Sequence, residues 1–166
     1  YYTEFYVMNT GVATDNNVDI TYIPGVVDGC TTGATGQTEL NVSVPQFASI
    51  NRNQEAQTAL GAASVSGCEG YAGRFSGSAI ITSDEPIVAV VNQHAPTYTK
   101  LATYNGFKSG DQEILVPQYM RGYYGYYSNI GITNPSDTQT ATVDIIYTPS
   151  GTSNVVGPGE TVETIT

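Results

Sequence analysis

The sequence predicts an all-β fold, an antiparallel β-sandwich of about ten strands, and three observations carry that prediction. In Val18-Asp19-Ile20-Thr21-Tyr22 and Leu40-Asn41-Val42-Ser43-Val44 apolar and polar residues alternate, as a strand with one buried face requires. Turn chemistry recurs between such runs, at Asn9-Thr10-Gly11, Pro24-Gly25, Ser83-Asp84-Glu85-Pro86, Asn105-Gly106, Asn134-Pro135-Ser136-Asp137 and Gly157-Pro158-Gly159. The stretch Tyr1–Pro24 also recurs at Tyr126–Pro149 with a constant offset of 125. Identical pairs are Tyr1/Tyr126, Tyr2/Tyr127, Asn9/Asn134, Val18/Val143, Asp19/Asp144, Ile20/Ile145, Tyr22/Tyr147 and Pro24/Pro149.

In chain order the expected strands are Thr3–Asn9, Asn17–Ile23, Leu40–Ile50, Arg74–Thr82, Pro86–Gln93, Leu101–Phe107, Glu113–Met120, Tyr126–Asn134, Ala141–Thr148 and Glu160–Ile165. Ser83–Pro86 reads as the tight turn of a hairpin, followed by the β-branched run of a central strand. Only Asn53–Ala63 has helical composition, and the small residues after it favour a loop. Two long loops hold the cysteines, Cys30 within Gly25–Gln37 and Cys68 within Gly61–Gly70. Neither lies in a CxxC or Cys/His cluster, so the expected pairing is a Cys30–Cys68 disulfide stapling the two loops.

The repeat divides the chain into a first unit, residues 1–112, and the opening strands of a second copy, residues 113–166. The strand at Ile114–Tyr119 precedes the second copy and has no equivalent before Tyr1, while Val155–Thr164 is expected to copy Leu40–Ile50. The first unit thus lacks its opening strand and the second lacks its closing ones. Two outcomes follow: the C-terminal strands complete the first unit, or the missing strands come from a neighbouring chain by strand addition. The start at Tyr1, without an initiator Met, suggests a processed form or a segment of something longer.

Composition excludes several function classes. The 166 residues hold five Lys and Arg against 15 Asp and Glu, a net charge of −10. With the basic residues scattered singly, no stripe exists to neutralise phosphates, and neither a nucleic-acid partner nor anionic lipid is expected. No run approaches the roughly 20 apolar residues of a membrane-spanning helix. Disulfide chemistry points to an extracellular or cell-surface location.

The run Gly77-Ser78-Ala79-Ile80-Ile81-Thr82-Ser83-Asp84-Glu85-Pro86-Ile87-Val88-Ala89-Val90-Val91-Asn92-Gln93 is followed by Tyr104-Asn105-Gly106-Phe107 and Val116-Pro117-Gln118-Tyr119. With these motifs the chain resembles the tandem β-sandwich repeat modules of large secreted and cell-surface bacterial proteins. The resemblance covers most of Arg74–Tyr147 and implies an extracellular, repetitive, Ig-like (Greek-key) architecture. It implies no catalytic residue.

Side-chain chemistry points the same way. The single histidine, His94, in Gln93-His94-Ala95-Pro96, has no nucleophile and orienting acid assigned to it, and reads as a surface or loop residue. Asp84 and Glu85 are sequence neighbours and point apart, unlike a glycosidase pair. No enzyme is expected. Asp15, Asn16, Asn17 and Asp28 supply hard oxygens and form the one weak Ca2+ candidate; the second copy replaces the first three by Thr140-Ala141-Thr142, and a solvated turn is the favoured reading. In Gly122-Tyr123-Tyr124-Gly125-Tyr126-Tyr127, Tyr126 and Tyr127 match Tyr1 and Tyr2, leaving Tyr123 and Tyr124 as the candidate contact surface for glycans or subunits. Asn41-Val42-Ser43 is a glycosylation sequon inside an expected strand. The function expected is a structural subunit of an extracellular fibre or surface assembly built from copies of itself, by strand complementation. The alternative is an adhesive, carbohydrate-binding module.

Overall fold

The computed structural model describes residues 2–27, 30–32, 37–54, 69, 74–95, 101–117, 119–128, 130–136, 138–148 and 161–165. Every regular element there is a β-strand, and every strand pairing is antiparallel. The chain divides into two compact units, Tyr1–Gly131 and Ile132–Thr166. This boundary falls inside the expected strand Tyr126–Asn134, of which only Tyr126–Tyr127 is β-structure.

In the first unit β1 (Tyr2–Asn9), β2 (Asp15–Pro24), β5 (Gln37–Pro45), β6 (Ser49–Asn53), β7 (Gly77–Ser83), β8 (Ile87–His94) and β9 (Leu101–Asn105) form two sheets. Their orders are β6-β1-β8-β9 and β5-β2-β7. Period-two alternation sends Phe5 and Val7 of β1, and Val18, Ile20 and Tyr22 of β2, to the inside, where they join Val44 of β5 in one buried cluster. Ile50, Phe75, Ile81, Ile87 and Val91 pack around its rim. One core is thus shared by residues of both sheets, each sheet contributing one apolar face.

Chain order and sheet order together expose a simple rule. β1 and β2, β5 and β6, and β7 and β8 are each consecutive strands lying in different sheets. Each pair is an arch across the core, and because neighbours are antiparallel, all three arches turn at the same end of the unit. The expected hairpin about Ser83–Pro86 is therefore corrected: β7 pairs with β2, and β8 with β1 and β9. A short polar turn serves an arch as well as a hairpin, so local sequence does not separate the two. The expected strand Leu40–Ile50 is likewise broken between β5 and β6 at Gln46 and Phe47, where Phe47 takes φ 59°. Its amides bond across the arch instead, Gln46 N donating to Thr14 O and Phe47 N to Asn9 O.

Other differences are local. Glu113–Met120, expected as a strand, has none in its described residues, and its apolar members lie on the surface. Two short pairs were not foreseen, β3 (Val26–Val27) with β4 (Cys30–Thr31), and β10 (Arg121–Tyr123) with β11 (Tyr126–Tyr127). Of the segment with helical composition, Asn53 closes β6 and residues 55–63 lie outside the described residues. His94, expected at the surface, is 1% exposed, enclosed at the end of β8 beside the Tyr2 ring. Among its described residues the second unit holds β12 (Val143–Tyr147) paired with β13 (Thr161–Ile165), and the turn around Asn134.

Candidate assembly surface

The arch end is where polar side chains converge. Asn9 ends the inward series of β1 and Asn16 begins that of β2; both are buried where an apolar residue would continue the core. Asn9 Oδ1 accepts the Gly11 N–H at 2.8 Å and its Nδ2 donates to Val44 O at 3.0 Å. Asn16 Nδ2 donates to Glu85 O at 3.2 Å, and its Oδ1 accepts the Glu85 N–H at 3.0 Å. Asn16 thereby satisfies two backbone groups of the neighbouring β7–β8 arch, and Asn9 one amide of its own turn and one carbonyl of β5. Thr10 N to Pro86 O at 2.9 Å and Gln46 Nε2 to Val12 O at 3.1 Å complete the lacing of the three turns.

This geometry separates the residues expected to share a Ca2+ ion. Asp15 Oδ1 accepts from Ser43 Oγ at 2.6 Å, Asn16 faces inward on Glu85, and Asn17 points outward to Asp84. Asp28 lies outside the described residues. Asn17 does border a shallow polar depression of about 160 Å³ with Asp19, Asn41, Thr82, Ser83 and Asp84. Among the described residues no three acidic, His or Cys side chains are grouped to hold a metal. Asn41 of the sequon sits at the bulge of the β2–β5 ladder with φ 55°, its N–H bonded to Asp19. Cys30 is buried, no free cysteine occurs among the described residues, and Cys68 lies outside them.

On the side of the unit an ion pair ties the two sheets. Arg52 of β6 holds Glu39 of β5 through Nε at 2.7 Å and Nη2 at 2.7 Å, and Glu39 also accepts the Tyr22 hydroxyl at 2.7 Å. The hydrogen bond to Glu39 holds the Arg52 guanidinium above its ordinary pKa, against a smaller opposing effect of burial.

Several large apolar side chains lie exposed elsewhere on the described surface. β9 is exposed along its whole length, and Phe107, Ile114 and Leu115 beyond it are 72% exposed or more. Among the described residues β9 pairs only with β8, so its outer edge is a row of backbone donors and acceptors. Tyr123 lies in β10, and Tyr124 is 85% exposed at the tip of the β10–β11 turn. Tyr124 at φ 49° and Gly125 at φ 78° form a two-residue turn with positive φ at both positions, as a tight hairpin requires. Gly125 was the sequence signal for it.

In the second unit β12 has one strand neighbour among the described residues, β13. Val143, Ile145 and Tyr147 alternate toward one face and are only half-buried, whereas Val18, Ile20 and Tyr22, identical at the offset of 125, are nearly sealed in the core of the first unit. The ladders correspond too. Ile20 and Thr21 oppose Glu39 and Thr38; Ile145 and Ile146 oppose Glu163 and Val162. Asn134 Oδ1 accepts the Ser136 N–H at 3.1 Å, the same turn that Asn9 makes with Gly11.

No protein-family model, curated protein or solved structure matches the chain. Among the described residues no helix is long and apolar enough to cross a membrane.

Proposed function

We propose that this chain is a structural subunit of an extracellular fibre or surface assembly, an Ig-like sandwich with an internal repeat, joined to copies of itself by β-strand complementation. The observation that carries the reading is that β12 of the second unit has one strand neighbour, β13, among the described residues. Its apolar face stays half-exposed, although the same residues at the same spacing are core in the first unit. A lone two-stranded hairpin is marginal in water, and adding strands both covers that face and pairs its edge. The uncharged, exposed strand β9 provides a second edge of the same kind. A Cys30–Cys68 disulfide belongs to this reading, and mass spectrometry of the intact chain before and after reduction tests it.

Light scattering and electron microscopy of the purified chain test the assembly. Oligomers or filaments are expected, and Ile145→Asp, which places a charge on the apolar face of β12, is expected to reduce them. A monomer at all concentrations removes the proposal.

A second reading, glycan binding, is favoured by Tyr124 at 85% and Tyr127 at 77% exposure, since exposed rings stack on sugars. A glycan array comparing the chain with a Tyr123→Ala/Tyr124→Ala variant decides it: binding lost in the variant supports the reading, and equal or absent signal rejects it.

A further inference from the structure

We infer that β12 is the acceptor for a strand with the sequence of β7, Gly77–Ser83, carried by another copy of this chain, and that the two pair antiparallel in a defined register. The inference rests on the assembly reading above and names the strand that completes the second unit.

The argument is one of matched ladders. In a strand, successive residues direct their backbone N–H and C=O groups alternately to one neighbour and the other. β2 uses one edge for β5 and the other for β7. β12 meets β13 with Ile145 opposite Glu163, as β2 meets β5 with Ile20 opposite Glu39. β13 follows β12 in the chain as β5 follows β2, with Glu163 in the place of Glu39, so by this correspondence the edge of β12 along Val143–Ile146, which meets no strand among the described residues, is assigned to the edge β2 gives to β7. Both acceptor strands carry Val, Asp and Ile at the same three positions, Val18-Asp19-Ile20 and Val143-Asp144-Ile145. In the first unit Val18 opposes Ser83 and Ile20 opposes Ile81. Transferred to the second unit, Val143 lies opposite Ser83 and Ile145 opposite Ile81 of the incoming strand.

The choice of β7 over the other strands follows from its faces. Ile81 packs against the buried cluster beside Ile20, so an incoming Ile81 meets Ile145 on the half-exposed face that needs covering. Asp144, the one charge on β12, bonds to Thr164 Oγ1 at 2.6 Å and so is turned toward β13, away from the accepting edge. That leaves an edge without Lys or Pro to repel a partner.

A fluorescein-labelled synthetic peptide spanning Arg74–His94 is added to the intact chain, with anisotropy and amide hydrogen exchange as readouts. Saturable binding is expected, with exchange at Val143–Tyr147 slowed at least tenfold and no comparable change along β2, whose own β7 is tethered. The peptide carrying Ile81→Asp is expected to bind at least tenfold more weakly; this control leaves the protein's folding untouched. Absence of binding, protection confined to other strands, or equal binding by the Ile81→Asp peptide overturns the inference. Light scattering separates the two claims. A chain that assembles but ignores the peptide refutes this register and leaves the assembly reading standing, whereas a monomer that binds the peptide overturns the assembly reading and donation by another copy, and keeps only the pairing of β12 with this sequence.

Discussion

Asn9 and Asn16 act as covalently fixed substitutes for buried water. Each offers an acceptor and a donor in one plane; Asn16 spends both on Glu85 of the β7–β8 arch, and Asn9 spends one on Gly11 of its own turn and one on Val44 of β5. Replacing Asn16 by Ala strands the Glu85 N–H, while the Glu85 carbonyl keeps the Ser83 hydroxyl as a donor, and urea unfolding is expected to show a loss of about 1–3 kcal/mol. The Glu39–Arg52 pair is partly exposed, and Arg52→Met is expected to cost less, about 1 kcal/mol. Its pH behaviour follows from the sign of the shift. A cation whose folded pKa is raised contributes fully below its unfolded value, so the Arg52 side of the pair adds no pH dependence between neutrality and pH 10. Tyr104 behaves differently, because its partial burial against neighbouring residues raises its pKa, although the residue as a whole is exposed. Above the ordinary tyrosine value of about 10 the unfolded chain releases that proton first and stability falls. A Tyr104→Phe variant is expected to show a shallower alkaline loss in a melting-temperature series.

At the scale of elements, three arches stacked side by side set the architecture, and their contacts leave little room at the strand ends. Gly77 starts β7 opposite Pro24, and a Cβ there would run into the Ile23 carbonyl, with Gly25 N also too close at 2.9 Å. Gly77→Ala therefore forces the β2 and β7 ends apart. A destabilisation of about 1–3 kcal/mol is expected in denaturant unfolding, with faster hydrogen exchange concentrated at the Pro24–Gly77 end of the ladder. Strand identity was legible in several runs: β1, β2 and β8 appear within two residues of their expected bounds, whereas the alternating run Leu40–Val44 belongs to a strand that ends at Pro45. Glu113–Met120 was not. Its apolar Ile114-Leu115-Val116 run satisfies the composition of a strand, yet a strand also needs a partner edge, and none is supplied to it among the described residues.

For the whole molecule the net charge of −10 opposes the association that the apolar edges favour. Subunits of like charge repel over a Debye length of about 10 Å at 0.1 M salt, so assembly is expected to accelerate as ionic strength rises toward 0.5 M. Turbidity or light scattering against salt measures it; assembly that weakens with salt would instead mean that ion pairs, not apolar strand edges, hold the subunits together.

Alternation, turn residues and the repeat determined by themselves that the chain is antiparallel β, which face of β2 turns inward, and that Val143, Ile145 and Tyr147 copy Val18, Ile20 and Tyr22. These follow from short-range rules, since backbone geometry sends alternate side chains to opposite faces whatever lies beyond them. Tertiary structure alone decided that Ser83–Pro86 spans two sheets, that His94 is enclosed, and that Asn16 faces Glu85 instead of joining Asp15 and Asn17 around an ion. It alone showed identical residues sealed in one unit and half-exposed in the other. Burial depends on how many strands arrive from distant parts of the chain, and no local pattern counts them.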